Sequence, residues 1–213
     1  TIGEVVTYRL TVTVPEGTIT NLAVTDDLPA GMTYYSNLVV DSSGLAGSLP
    51  GVPSVVNAGG SGGDVTFTFN GLTVVTGDNS PANNSFTITF DALVMNVPGN
   101  DGLPAAVDGN GTTTLPNRGT VTYAGNPSNA VPSGIVNVQV VEPSLLINKS
   151  MTAPTNRLVV FSLLVTNRGL STAFDVVVTD QVRTVWFDTT TLAPVTVPAG
   201  FTYAALGAPG DAT

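Results

Sequence analysis

Residues 143–151 read PSLLINKSM, residues 159–169 VVFSLLVTNRG and residues 174–180 FDVVVTD, and together they open a second copy of a pattern the chain has already begun. The first copy of that pattern is VTYRLTVTV at 6–14 followed by NLAVTDDLP at 21–29. Aligning Tyr8 with Phe161 brings Leu10 onto Leu163 and Val12 onto Val165. With one residue inserted, Val24-Thr25-Asp26 then falls on Val178-Thr179-Asp180. Self-similarity of this kind is the signature of a repeat array.

Within each copy the period is two. Val6, Tyr8, Leu10, Val12 and Val14 share one face of an extended segment, while Thr7, Arg9, Thr11 and Thr13 share the other, as a half-buried strand requires. Pro15-Glu16-Gly17 supplies a turn, after which Leu22, Val24 and Asp26 share a face before Leu28-Pro29-Ala30-Gly31 breaks the strand. The same parity turns one carboxylate, Asp26, toward the core. Further strands are expected at 32–40, 64–75, 85–95, from about 117, and at 135–141, with long connections at 41–63 and 96–116. Asn117, Gly119, Val121 and Tyr123 fall on one face, and so do Leu145, Ile147 and Lys149, the chain's single lysine. No apolar spacing of 3.6 persists long enough for a helix, so the class is all-β.

Composition narrows function by exclusion. The 213 residues contain no cysteine and no histidine, which removes thiol nucleophiles, zinc-thiolate sites, the usual general base and Ser-His triads. A net charge of −9 argues against a nucleic-acid partner. The longest strongly apolar run, LVVFSLLV at 158–165, is far short of a membrane span. Asp26 and Asp27 are adjacent in a strand, point to opposite faces and cannot share a substrate. An enzyme acting on an external substrate is therefore not expected.

GEVVTYRLTVTV, VTDDLPAGMTY and NRGTVTY in the first copy, with EPSLLINKSM, FSLLVTNRG and VVVTDQV in the second, resemble the conserved-repeat domains of bacterial and archaeal surface proteins and the related isopeptide-forming domains of fimbrial shafts. The resemblance implies tandem immunoglobulin-like β-sandwiches, display at the cell surface and end-to-end stacking. It divides the chain into a first sandwich repeat at 1–141, lacking its opening strand, and the start of a second at 142–213, which is incomplete. It also implies an intradomain amide bond, with Lys149 as the nucleophile of copy two, Asp26 and Asp180 as the assisting acids and Asn117 as the acceptor of copy one. Burial in an apolar layer would keep the lysine neutral and the acid protonated, as such chemistry needs.

The chain opens at Thr1 without a methionine or signal peptide, so it reads as a window from a longer protein; a sharper reading has neighbouring subunits donate the missing strands. The expected function is thus a structural segment of an extracellular stalk, filament or adhesin, whose partners are neighbouring repeats or subunits. The alternative is a binding module that grips a glycan or a partner protein through the loops 41–63 and 96–116. Asp101, Asp108 and Asn110 offer oxygen ligands for calcium without the spacing of a complete calcium loop, and Asp-Gly and Asn-Gly pairs are equally ordinary turn chemistry. Tyr34, Tyr35 and Trp186 are candidate sugar platforms beside their plainer reading as core. The joint at 142–144 is only a few residues long, which favours a stiff array.

Overall fold

A computed structural model describes residues 1–108, 111–124, 130–155, 158–182, 197, 199 and 211–212. The chain falls into two compact units, Thr1–Thr172 and Ala173–Thr213. It is an all-β protein, and among the described residues every strand pairing is antiparallel.

In the first unit the strands are β1 (Val5–Thr13), β2 (Gly17–Asp27), β3 (Met32–Asp41), β4 (Gly47–Ser48), β5 (Ser54–Asn57), β6 (Val65–Val75), β7 (Ser85–Val94), β8 (Thr114–Thr122), β9 (Val131–Pro132), β10 (Val136–Gln139), β11 (Leu145–Thr155) and β12 (Leu158–Asn167). A single helical turn, α1 (Ala105–Asp108), precedes β8. One sheet has the order β1-β7-β3, a larger one has the order β10-β8-β2-β6-β4, with β5 also on β6 and β9 also on β8, and β11 and β12 pair as a third. The second unit contributes the two-residue strands β13 (Asp180–Gln181) and β14 (Asp211–Ala212), which pair with each other.

Alternation dictates how the two larger sheets of the first unit meet. Tyr8 and Val12 of β1 and Phe86, Ile88 and Phe90 of β7 face Leu22 and Val24 of β2 and Val65, Phe67 and Phe69 of β6, and all are buried in one core. Aromatic rings join the layers, with the Phe67 and Phe90 centroids 5.3 Å apart and those of Phe69 and Phe86 also 5.3 Å apart. Tyr8 and Tyr34 lie 5.7 and 5.9 Å from Phe90, tilted rather than stacked face to face.

The outward faces carry many hydroxyls, with a few apolar side chains such as Val39 and Leu72 among them. Thr11 pairs with Thr87 and Thr13 with Ser85 across β1 and β7. Thr25 sits between Thr66 and Thr120 on the other sheet, its hydroxyl 3.0 Å from that of Thr66. Threonine suits both demands, because its branched Cβ favours the strand and its hydroxyl faces water.

Two irregularities fall on asparagine. Asn21 and Asn37 adopt positive φ at register shifts in β2 and β3, a conformation asparagine tolerates better than most residues. The Asn37 amide then donates to Asp91 Oδ2 at 2.5 Å, and the Thr7 hydroxyl donates to Oδ1 at 2.6 Å, so this carboxylate is held below its ordinary pKa by its two donors.

Two expectations about strands change. The connection 41–63 is not a free loop, because β4 and β5 fold back onto β6 and extend the larger sheet. Their Ser, Gly and Pro content hid them, and edge strands this short need no apolar face. FDVVVTD, expected as the counterpart of β2, forms no strand until Asp180; it bends at Asp175, which has φ +52°, and Phe174 and Val177 are largely exposed. β2 is held between β6 and β8, whereas residues 173–179 have no such neighbours among the described residues; a lone strand leaves its backbone groups to water.

Asn100 closes the base of the fold. Buried at the end of the 96–100 turn, it donates to Gly31 O at 2.8 Å and to Met95 O at 3.0 Å. Gly31 has φ +100°, and a Cβ there would overlap the Asn100 side chain. Asn100→Ala removes one of two donors from each carbonyl, since Gly31 O also accepts from Met95 N and Met95 O from Val97 N, and should cost about 0.5–1.5 kcal/mol for each bond lost, read as a lowered urea midpoint with unchanged slope; an unchanged midpoint would show that water replaces the amide without loss.

Candidate functional site: a buried acid and amide

Asp26 lies near the end of β2, the central strand of the larger sheet, opposite Val65 on one side and Gly119 on the other. Asn117, two residues from Gly119 on β8, shares that inward face. Both side chains are buried, Asp26 at 0% and Asn117 at 4% relative exposure. Tyr8 descends from β1 in the opposite sheet, its hydroxyl donating to Met32 Sδ at 3.3 Å. Gly119 makes room for this meeting, since a Cβ at that position would stand 3.0 Å from Leu10 Cδ2.

The electrostatics of this group are unusual. Neither Asp26 oxygen has a hydrogen-bond partner, and neither does Asn117 Oδ1. Desolvation is the main cause that pushes the Asp26 carboxyl from 3.8 up to about 7, with Asp27 and Asp64 adding to it and the Asn117 amide pulling it back. That amide lies near enough to act on the carboxyl, but the contact does not have the geometry of a hydrogen bond. Tyr8 is likewise pushed up to about 12, first by desolvation and then by the neighbouring carboxylate. Asp91 makes the contrast: the same residue type, given two donors on the outer face, is shifted the other way.

The other candidates stand elsewhere. Lys149 lies on β11, exposed, with its Nζ 4.5 Å from the centre of the Phe161 ring. It pairs with Leu163 across the β11–β12 hairpin, on a face also bearing Leu145, Ile147, Met151 and Val165, all exposed. Asp180 begins β13 in the second unit. Asp101 accepts from the Thr113 hydroxyl at 3.4 Å, Asp108 accepts from Gly111 N at 3.4 Å, and Asn110 lies outside the described residues. Among the described residues no three acidic side chains gather as a metal site, and no helix is long and apolar enough to cross a membrane. Tyr34 packs in the core, its ring 6.4 Å from Phe67, while Tyr35 is exposed and Trp186 lies outside the described residues.

Glu142, at the expected joint, is bonded on several sides. Its amide donates to Gly102 O at 3.0 Å, its carbonyl accepts from Leu170 N at 3.1 Å, and its carboxylate accepts from Ile2 N. The Arg168 guanidinium adds a bond to Ala106 O at 3.0 Å.

Sequence parity placed Asp26 and Asn117 on inward faces but did not add Tyr8 to them. The available signal was a tyrosine on an otherwise aliphatic face, since a buried phenol needs a polar neighbour. Comparison with protein-family models, with curated proteins and with solved structures returned no match.

Proposed function

We propose that this chain is a mechanical element: a repeat segment of an extracellular stalk, filament or adhesin of a prokaryote, built from immunoglobulin-like sandwiches and acting on no external substrate. The observation that carries the proposal is the Asp26–Asn117 pair, enclosed together in the core with both carboxyl oxygens of the acid and the oxygen of the amide lacking a hydrogen-bond partner among the described residues. Such a pair is costly in a protein that needs only to fold, and its chemistry suits one purpose. A neutral lysine amine brought to Asn117 attacks the side-chain carbonyl carbon. The new C–N bond forms, the bond to Nδ2 breaks and ammonia leaves. Asp26, raised by burial to about 7 and so about half protonated at neutral pH, donates a hydrogen bond to the carbonyl oxygen, passes that proton to the departing amine and takes one from the attacking nitrogen, so that the acid ends as it began. The product amide needs no charge, resists tension and locks two strands together.

The sparse charge, the hydroxyl faces and the bonded joint at Glu142 fit a spacer better than a binding surface. The decisive experiment is mass spectrometry of the protein as its natural host makes it, followed by protease mapping. The expected result is a mass lighter by one ammonia per closed repeat, with Asn117 joined to a lysine side chain, and an unshifted mass in the Asp26→Asn variant. A wild-type mass equal to that of the sequence would overturn the cross-link and leave a spacer held by packing alone.

A further inference from the structure

The chain passes from the first sandwich to the hairpin β11–β12 through Glu142-Pro143-Ser144, and this crossing is held from both sides. On one side Glu142 N donates to Gly102 O at 3.0 Å. On the other, Leu170 N donates to Glu142 O at 3.1 Å and Arg168 N to Ser144 O at 2.7 Å. The crossing is therefore the middle line of a short ladder, between the connection that precedes β8 and the turn that follows β12. All of it lies within the first compact unit.

Three consecutive residues of that turn make the fit. Asn167 Oδ1 accepts from Ser144 N at 3.1 Å and from Gly169 N at 3.0 Å, which ties the turn to the crossing. The Arg168 guanidinium donates to Ala106 O at 3.0 Å, a carbonyl of the single turn α1, whose last carbonyls have no helical donor to meet. At Gly169 a Cβ would overlap Glu142 O, Ser144 N and Pro143 C. Those atoms are backbone, so no change of side-chain rotamer makes room.

We infer that residues 99–108 form a seat for the turn 167–170, fixing the hairpin to the first sandwich where a bare linker would swivel, and that Asn167, Arg168 and Gly169 decide which repeat can be seated. The alignment that brings Tyr8 onto Phe161 brings Val14-Pro15-Glu16 onto these three residues. Valine has no side-chain acceptor, proline has neither the N–H nor the guanidinium, and glutamate carries the Cβ that the crossing excludes. A repeat with the turn of copy one cannot enter this seat. Neighbours are thus told apart by clash and by lost donors as much as by attraction. Part of the 96–116 connection, the loop expected of a binding module, is engaged by the chain itself. The seat rests on these contacts and is indifferent to the chemistry of Asp26 and Asn117; its selectivity rests on the proposed repeat organisation.

Amide hydrogen exchange of the intact chain, followed by NMR, tests both parts. In the parent chain the N–H groups of Glu142, Arg168 and Leu170 should exchange slowly. Gly169→Ala should speed all three about tenfold or more, while Phe67 and Phe90 in the core keep their protection. Arg168→Ala, at an exposed position that spares folding, should speed Glu142 and Leu170 about fivefold, the worth of one hydrogen bond. The triple variant N167V/R168P/G169E, which carries the turn of copy one, should leave Glu142 and Leu170 exchanging as in a free peptide. If Gly169→Ala strips the core as well, the seat is judged on Arg168→Ala. Free-peptide exchange of Glu142 and Leu170 in the parent chain, or protection indifferent to the single variants while the core is unchanged, overturns the seat. Protection that survives in the triple variant overturns the selectivity, and with it the reading of 167–169 as the residues that choose a neighbour.

Discussion

Asp26→Asn should make the chain more stable at pH 8, by about 2–4 kcal/mol, and should remove a fall in stability that the parent chain suffers between about pH 4 and pH 7. The ceiling follows from the shift of the carboxyl from 3.8 to about 7, since each unit is worth about 1.4 kcal/mol. The sign follows from proton counting. Between the unfolded and folded values the folded chain holds a proton on Asp26 that the unfolded chain has released, so raising the pH favours unfolding. Below about pH 4 the acid is protonated in both states and its burial has no ionic cost. Carboxylates with lowered values, such as Asp91, Asp41 and Asp78, tilt the curve the opposite way, so the quantity to measure is the difference between variant and parent in urea unfolding at pH 4.5 and 8. A difference that stays constant across that range would mean that Asp26 ionises normally, and the buried-acid account of the site would fall with it.

Phe90→Ala should cost about 3–5 kcal/mol, a large part of the stability of an ordinary domain. Phe90 lies on the middle strand of the smaller sheet, and its ring meets Tyr8 and Tyr34 on either flank and Phe67 across the layers. No small movement of one strand can refill a space bordered by three rings from three strands. Thermal unfolding followed by tyrosine fluorescence should show a melting point lowered by well over ten degrees, at about 4–8 degrees per kcal/mol for a small domain and half that for a larger one. A loss below about 1 kcal/mol would indicate that the layers close over the gap and that the aromatic cluster is less tightly packed than its ring distances imply.

The strands and their faces were legible because alternation is a local property. Val6 to Val14, Leu22 to Asp26 and Asn117 to Tyr123 each announce which side is buried, and the inward placement of Asp26 and Asn117 follows from the same parity. What alternation cannot supply is the identity of the neighbour. That Gly119 stands opposite Asp26, that Tyr8 arrives from the other sheet, and that Val136 pairs with Asn117 yet remains open to water are properties of strand order and of the layer above. The strand expected at 174–180 shows the limit from the other direction: VVVTD has every propensity that β2 has, but propensity becomes structure only where a ladder receives it. Asn100 was silent for another reason, because its role depends on two carbonyls brought to it from Gly31 and Met95 by a turn that the sequence marks only as a loop.

The hydroxyl-paved outer faces set how this surface meets its surroundings. Ionic surfaces keep molecules apart by repulsion, and that repulsion fades as dissolved salt gathers around the charges. A lawn of threonine and serine hydroxyls holds water by hydrogen bonding, which added ions barely weaken. Where those hydroxyls pave the sheets, the hydration of the surface changes little between dilute water and brine.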